Sequence, residues 1–171
     1  ASTGNASDFG DASDTVNKGA GTASKTRGVY SLGDAQGGVF DSIDYITIAS
    51  TGNAADFGNL TAQIGEEIAA LSSNTRGVFG GGRNRENVIQ YITIASTGNA
   101  SDFGDLTAAT KFLAGTSNNT RGLFGGGNTS SGDTNVISYI TIASTGDATD
   151  FGDLTVARDD LAACGNAHGG L

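Results

Sequence analysis

The eight residues Tyr-Ile-Thr-Ile-Ala-Ser-Thr-Gly begin at Tyr45, begin again at Tyr91 and begin a third time at Tyr139. The last four of them, Ala-Ser-Thr-Gly, also stand at Ala1. The spacings are 46 and 48 residues, and Ala1 lies 48 residues before Ala49. Repetition at such a period is typical of folds in which each unit stacks on its neighbours. Near-identical repeats build a surface, whereas an active site usually needs different residues brought together at one point.

Each repeat contains short segments with the composition of β-strands. In the second copy an apolar run starting at Thr75 ends in three glycines, a polar loop covers residues 83–87, and a β-branched run covers residues 88–95. Residues 96–99 have the chemistry of a tight turn, a further strand is expected over residues 102–107, and a short strand of small residues is expected near residues 112–115. Four strands in roughly 40–50 residues predict an all-β fold of four-stranded antiparallel blades, the architecture of a β-propeller.

The order of these features resembles the kelch family. A kelch repeat has an apolar run ending in two glycines, a polar loop, a strand with a tyrosine, a turn, and an aromatic residue in the last strand. The matching residues are Phe79-Gly80-Gly81, Tyr91 and Phe103 in one repeat, and Phe124-Gly125-Gly126, Tyr139 and Phe151 in the next. Phenylalanine replaces the tryptophan that is usual in the last strand, and the first repeat lacks the glycine pair. The phrase Thr-Ile-Ala-Ser-Thr-Gly-Asn-Ala, followed by Asp-Phe-Gly-Asp-Leu-Thr, is similar to kelch-like repeats of marine bacteriophage structural proteins.

The resemblance implies a single kelch-like propeller domain over residues 1–171. Its repeats fall at residues 1–48, 49–94, 95–142 and 143–171, and the last is partial. The leftover strands at the two ends can together form one composite blade. Two arrangements stay open, a four-bladed ring and a part of a larger propeller. The absence of methionine leads us to expect a processed chain or a piece of a longer one.

The acidic composition argues against two classes of binding partner, nucleic acids and anionic membranes. Only 16% of the residues are charged, yet the net charge is −9, and nucleic acids and anionic membranes attract basic surfaces. No apolar run approaches the roughly 18–20 residues of a membrane span. We therefore expect no nucleic-acid partner and no membrane insertion.

Conventional catalytic side chains are scarce. Cys164 is the one cysteine, which excludes an intrachain disulfide, and we interpret it as a small buried strand residue. His168 is the one histidine, and the copper oxidase site of some kelch propellers needs several. The Asp-Phe-Gly tripeptide recurs in every repeat and so does not indicate a kinase metal site. The sequence predicts a non-enzymatic protein without a cofactor.

Aspartates recur three residues apart, as Asp102 with Asp105 and Asp150 with Asp153. Stacked around a ring, they are weak candidates for a Ca²⁺ site, because Ca²⁺ takes several oxygen ligands. The favoured interpretation is that one aspartate of each pair caps a turn or pairs with an arginine while the other is solvated. The glycine triplets at Gly80 and Gly125 lack the Gly-Lys-Ser/Thr of a phosphate cradle, and crowding of inner strands near the axis explains them better.

Three arginines, Arg27, Arg76 and Arg121, occupy one repeat position. A ring of arginines could bind an anionic glycan or a carboxylate. We favour a structural role, in which each arginine ties neighbouring blades together through an aspartate.

The loops after the glycine runs are the predicted binding surface. They cover residues 34–40, 83–87 and 128–135, and they differ in length and charge, while residues 45–53 and 91–99 are identical. Loops on one rim of a rigid scaffold commonly carry binding residues. The rim residues predicted to bind are Arg83, Asn84, Arg85, Asn128, Thr129, Ser130 and Ser131.

Together these features predict a non-enzymatic phage virion component, namely a tail fibre, an adhesin or a capsid decoration. Its expected partners are other virion proteins or a glycan or protein on the host cell surface, and a homo-oligomer is among the expected assemblies. The alternative is a bacterial surface or secreted propeller that binds glycans or proteins.

Overall fold

The computed structural model of the chain describes residues 4–35, 38–39, 41–62 and 64–165. Within these ranges all regular structure is strand, which confirms the predicted all-β class. No helix there is long and apolar enough to cross a membrane. In chain order the strands are β1 (Val16–Asn17), β2 (Gly21–Ala23), β3 (Arg27–Ser31), β4 (Asp34–Ala35), β5 (Gly38–Val39), β6 (Ser42–Thr47), β7 (Ala55–Asn59), β8 (Ile68–Ser72), β9 (Arg76–Gly81), β10 (Val88–Thr93), β11 (Ser101–Asp105), β12 (Ala114–Ser117), β13 (Arg121–Gly125), β14 (Asn128–Thr129), β15 (Gly132–Asp133), β16 (Val136–Thr141) and β17 (Thr149–Asp153).

The strands form three four-stranded antiparallel sheets that follow one another along the chain. The first sheet has the order β2-β3-β6-β7, the second β8-β9-β10-β11 and the third β12-β13-β16-β17. Strands that follow one another along the chain within a sheet are also neighbours in space, so each sheet is an up-and-down antiparallel sheet. Two smaller elements stand beside these sheets. β4 and β5 lie in the loop between the second and third strands of the first sheet and pair with β1, which precedes that sheet, and the β14-β15 hairpin lies in the same loop of the third sheet. The predicted four-stranded antiparallel sheets are confirmed.

The Asp-Phe-Gly tripeptide forms a β-bulge in the last strand of each sheet. In the second sheet Ile89 pairs with Gly104 and the next residue, Gln90, pairs with Asp102, so Phe103 is left without a cross-strand partner. The same shift occurs in the other two sheets. Gly104 has a φ of +144°, a backbone conformation that residues other than glycine rarely adopt. The bulge re-aims the phenylalanine, which explains the tripeptide without a metal site.

Hydrophobic side chains fill the two boundaries between successive sheets. At the first boundary Val29 and Phe57 of the first sheet meet Phe79 of the second. At the second boundary Val78 and Phe103 pack with the equivalent residues of the third sheet in the same way. The second sheet therefore has two apolar faces, because it is covered by a neighbour on both sides.

The glycine run at the end of β9 serves this packing between sheets. A Cβ on Gly80 would lie 2.8 Å from the ring of Phe124 in the third sheet, and Gly81 and Gly82 have φ values of +71° and +125°. Backbone also crowds this run, since a Cβ on Gly81 would be 2.5 Å from the Thr110 carbonyl oxygen and one on Gly82 would be 2.5 Å from the Ile64 carbonyl oxygen. Close packing thus accounts for the triplet, as expected, and at Gly80 the close neighbour is an aromatic ring of the next sheet.

Candidate functional site

The structure brings two of the predicted rim loops together. Arg85, in the loop after β9, donates from Nε and Nη2 to Asn128 Oδ1, at 3.2 and 2.7 Å. Asn128 in turn donates from Nδ2 to Asp133 Oδ1 across the β14-β15 hairpin, at 2.8 Å. Loops more than 40 residues apart in sequence thus share one polar network, which fixes their relative position.

Turn chemistry shapes both loops. Asn84 and Arg85 have φ values of +65° and +60°, so the chain turns sharply there. In the hairpin, Thr129 Oγ1 donates to the Gly132 carbonyl at 3.0 Å and accepts from the Ser131 N–H at 3.2 Å. These bonds hold the hairpin tip closed and leave the side chains of Ser130 and Ser131 exposed. Of the loop at residues 34–40, the positions 36, 37 and 40 lie outside the described residues.

Four residues with positive φ values, linked by backbone hydrogen bonds, line a cavity in the structure. Lys18, Glu67, Phe112 and Asp160 all have positive φ values, 57°, 59°, 57° and 50° in that order. The N–H of Glu67 donates to the Lys18 carbonyl, that of Phe112 to the Glu67 carbonyl and that of Asp160 to the Phe112 carbonyl, at 3.2, 3.0 and 3.2 Å. All four residues line one cavity of about 290 Å³. We call this cavity the mouth.

Ion pairs surround two acidic side chains at the mouth. Glu66, which is 7% exposed, lies 3.5 Å from Lys18 Nζ and 3.3 Å from Arg83 Nε. Glu67, which is 9% exposed, lies 3.1 Å from Lys111 Nζ and 3.7 Å from Lys18 Nζ. The guanidinium of the predicted rim residue Arg83 therefore pairs with a buried carboxylate, although the Arg83 side chain is itself 45% exposed.

The sequence reasoning missed these mouth residues. Glu66 and Glu67 are the only adjacent glutamates in the chain, and three of the eighteen acidic residues are glutamates. The adjacent glutamates could therefore have been identified in the sequence as an unusual acidic pair. The positive φ values could not be predicted from the sequence. A lysine, a phenylalanine and two acidic residues have no side-chain property in common that favours this backbone conformation.

A second cavity lies along the first strands of the sheets. It measures about 250 Å³, and its lining includes residues 21–23 of β2, 70–72 of β8, 115–117 of β12 and 163–165 of the C-terminal segment. Ser117 Oγ donates to the Ser72 carbonyl and Ser72 Oγ to the Ala23 carbonyl, both at 2.8 Å. The first strands of three sheets and one further segment thus face a common space.

The recurrent arginines contact the next sheet in two of three copies. Arg27 Nη1 donates to the carbonyl of Ile94, and Arg76 Nη1 to that of Ile142, each at 2.9 Å. The guanidinium groups lie over tyrosine rings of their own sheet, with 4.5 Å from each Cζ to the ring centroid. The acceptor is a main-chain carbonyl, so the expectation that an aspartate accepts the bond was wrong. Arg121 keeps the ring contact, at 4.6 Å from Tyr139, and is exposed.

The aspartate pairs have different neighbours. The N–H of Asp105 donates to Asp147 Oδ1 of the next sheet, and Asp150 Oδ1 accepts from the Gly152 N–H, both at 3.0 Å. Asp102 and Asp153 lie exposed on β11 and β17. In the ranges that the structure describes, no group of three or more His, Cys, Asp or Glu side chains could hold a metal ion.

Cys164 is exposed and lies outside the strands, so its interpretation as a buried strand residue was wrong. It follows the third sheet and lines the cavity along the first strands. His168 lies outside those residues.

The chain matches no protein-family model and no curated protein sequence. Function is therefore inferred from the rim, the mouth and the repeated sheets themselves.

Proposed function

We propose that the chain is a kelch-like β-propeller that acts as a non-enzymatic virion component of a phage, in a tail fibre, an adhesin or a capsid decoration. In this proposal the sheets are a scaffold, and the rim formed by residues 83–87 and 128–135 binds a glycan or protein of the host surface or another virion protein. The observation that carries recognition at the rim is the contact of Arg85 with Asn128, and the virion role rests on the resemblance of the repeats to those of phage structural proteins.

Repeated geometry supports the propeller. Three sheets of the same strand order face one cavity with their first strands, and neighbouring sheets are joined by the same contacts each time. The residues 163–165 take the fourth position beside that cavity, which favours four units around the axis. A second observation that supports the propeller is the kelch-like order of features in each repeat: glycine run, tyrosine, turn and phenylalanine.

The difference between the repeated sheets and the variable loops supports recognition at the rim. The contacts within and between the sheets repeat, while the two loops differ in length and residue type and are nevertheless bonded to each other. A polar surface fixed in this way is pre-organised, so less conformational entropy is lost when a ligand binds. Arg85 presents a guanidinium, Asn128 an amide and Ser130 and Ser131 hydroxyls, which are the groups that bind carboxylates and sugar hydroxyls.

Virion location is tested with an antibody raised against the purified chain. The antibody is applied to purified particles of marine phages and viewed by electron microscopy. The proposal expects labelling of tails or capsids at regular, symmetric positions. Labelling of bacterial surfaces or secreted material, with unlabelled particles, would favour the bacterial propeller instead.

Recognition at the rim is tested by the binding of purified chain to bacterial cells and to an array of microbial polysaccharides. Arg85→Ala, and separately a replacement of residues 84–87 by residues 128–135, should weaken saturable binding about tenfold. Lys25→Ala is the matched control, because Lys25 is an exposed cation in the turn between β2 and β3, at the other end of the strands. Binding that survives both rim changes would show that the rim is not the recognition surface.

A further inference from the structure

Arg85 is held in the rim by a neutral side chain. Its Nε and Nη2 groups both donate to Asn128 Oδ1, at 3.2 and 2.7 Å. Asn128 Nδ2 donates to Asp133 Oδ1, which fixes the amide so that its oxygen faces the arginine. Because one oxygen accepts both bonds, the Nη1 group of Arg85 and one hydrogen on Nη2 have no acceptor among the described residues.

The positive charge of Arg85 has no carboxylate to balance it. Three other basic side chains near the rim form ion pairs with glutamates: Lys18, Arg83 and Lys111. Within the described residues Arg85 forms no such pair, although Glu86 and Asp133 belong to the same two loops. Arg85 is half-buried, and salt screens a partly buried charge less than an exposed one. A cation whose acceptor is neutral therefore remains able to attract an anion.

The backbone fixes both partners of this contact. Asn84 and Arg85 have φ values of +65° and +60°, a conformation that arginine rarely adopts, and the Arg85 N–H donates to the Gly82 carbonyl at 3.1 Å. Asn128 is bonded to Lys111 through both of its main-chain groups, at 2.8 and 3.1 Å. The guanidinium is therefore pre-organised, and less conformational entropy is lost when it binds a ligand.

The remaining donors of Arg85 suit a carboxylate. A guanidinium presents its N–H groups in a planar fork that matches the two oxygens of a carboxylate. Hydroxyl groups lie close by, because Asn128 begins the β14-β15 hairpin and the exposed Ser130 stands two residues further along the chain, about 7 Å in an extended strand. The exposed Ser131 follows it. Carboxylate and hydroxyl recognition are thus available within one small surface.

The composition of the two loops favours a sugar over a protein as the ligand. Residues 83–87 and 128–135 contain no apolar side chain. Protein–protein interfaces usually have a core that is more apolar than the rest of the surface. The loops offer instead a guanidinium, amides and hydroxyls, which hydrogen bond to the oxygens of a polysaccharide.

We propose that the ligand of the rim is an acidic polysaccharide, whose carboxylate binds the unpartnered N–H groups of Arg85 and whose hydroxyls bind Ser130 and Ser131. The inference rests on the proposed recognition function of the rim and names the class of its ligand. Both loops fall within residues 64–165, which the structure describes without a gap.

The first test compares matched polysaccharides. Immobilised alginate, polygalacturonate and hyaluronate are each presented beside their carboxyl-reduced forms, with dextran sulfate as a polyanion without carboxylates, and saturable binding of the purified full chain is measured. We expect binding to at least one of the acidic polymers, and reduction of its carboxylates should weaken that binding about tenfold or more, because charge-assisted hydrogen bonds are lost. Dextran sulfate should bind more weakly than that polymer.

The second test moves one carboxylate without changing the net charge. In the double variant Asn128→Asp/Asp133→Asn, the new aspartate faces Arg85 and the new asparagine can still donate to it. Binding of the acidic polymer should fall about tenfold, because the charge of Arg85 is then balanced within the chain. Asp133→Asn alone should bind more tightly than the natural chain, since it removes a nearby negative charge and leaves Arg85 beside a neutral amide. Thermal unfolding checks that both variants are folded.

Equal binding by the two variants, or equal binding of the acidic and carboxyl-reduced polymers, would overturn the inference. Dextran sulfate that binds as tightly as the carboxylate polymers would also overturn it, by showing charge attraction without carboxylate recognition. If no polysaccharide binds, while binding to cells is still lost in Arg85→Ala, the acidic sugar is wrong and recognition at the rim stands. If Arg85→Ala leaves binding to cells intact as well, both proposals fail.

Discussion

Gly104 of the second sheet lies directly against Gly146 of the third sheet. A Cβ on Gly104 would be 2.5 Å from the carbonyl oxygen of Gly146, a distance that real Cβ atoms do not show. Gly58 stands in the same relation to Gly98, at 2.5 Å. This contact brings the turn of one sheet close enough to hydrogen bond with the bulged strand of the sheet before it.

Gly104→Ala should therefore cost more stability than Gly152→Ala. Both glycines have nearly the same backbone, with φ values of +144° and +141°, so both variants bear the strain of a glycine-only conformation, about 1–3 kcal/mol. A Cβ on Gly152 would have no atom within 4 Å, whereas a Cβ on Gly104 would meet the Gly146 carbonyl. The clash adds about 1–3 kcal/mol for Gly104→Ala alone. Urea denaturation of the two variants measures the difference, and equal free energies of unfolding would mean that the sheets are less closely packed than described.

Arg76→Ala should destabilise the protein by about 2–3 kcal/mol, because it removes a charge-assisted hydrogen bond to Ile142 and a ring contact with Tyr91. Arg121→Ala removes a ring contact at an exposed position and should cost less than about 1 kcal/mol. The measurement is the free energy of unfolding of both variants. Equal losses would contradict the assignment of the Ile142 carbonyl as the stabilising partner.

Ile94→Ala should cost about 2–5 kcal/mol, because Ile94 is 1% exposed in the boundary between the first and second sheets. Ile48 occupies the same repeat position and is 45% exposed, so Ile48→Ala should change stability by less than about 1 kcal/mol. Thermal unfolding followed by circular dichroism separates the two. A small effect of Ile94→Ala would place that strand outside the core.

Gln90→Leu should destabilise the protein by about 1–3 kcal/mol, because Gln90 is fully buried and its Oε1 accepts from the Thr61 N–H at 2.7 Å. Loss of protection of the Thr61 amide against hydrogen exchange in Gln90→Leu identifies the bond directly. An unchanged exchange rate would show that Thr61 does not depend on this acceptor.

A shorter side chain stands at the equivalent position of the third sheet. Ser138 is buried there, and a cavity of about 20 Å³ lies between it and Thr107, which occupies the repeat position of Thr61. A space of this size holds about one water molecule. In the first sheet Asp44 Oδ2 accepts from the Ser13 N–H at 2.9 Å. Three different side chains thus stand at one repeat position, directly before the tyrosine, and each is buried there.

The parts of the fold that could be predicted from the sequence depend on local strand and turn preferences. The alternation of β-branched runs with Gly- and Asn-containing turns predicted four short strands per repeat, because strand and turn preferences act over a few residues. The rim residues were predictable as loops for the same reason. Their partners were not, since Arg83 reaches Glu66 and Arg85 reaches Asn128 only after the sheets are assembled.

The sequence by itself determined the repeat, the all-β class, the strand count of each sheet and the glycines that the bulges require. Only the tertiary structure decided which equivalent residues are core and which are surface. Ile48, Ile94 and Ile142 stand in identical surroundings in the sequence, yet they are 45%, 1% and 1% exposed. The physical reason is that burial is a property of the neighbouring sheet. Where a neighbouring sheet is present the isoleucine packs against a phenylalanine, and at Ile48, where the described residues supply no such sheet, the same side chain is exposed.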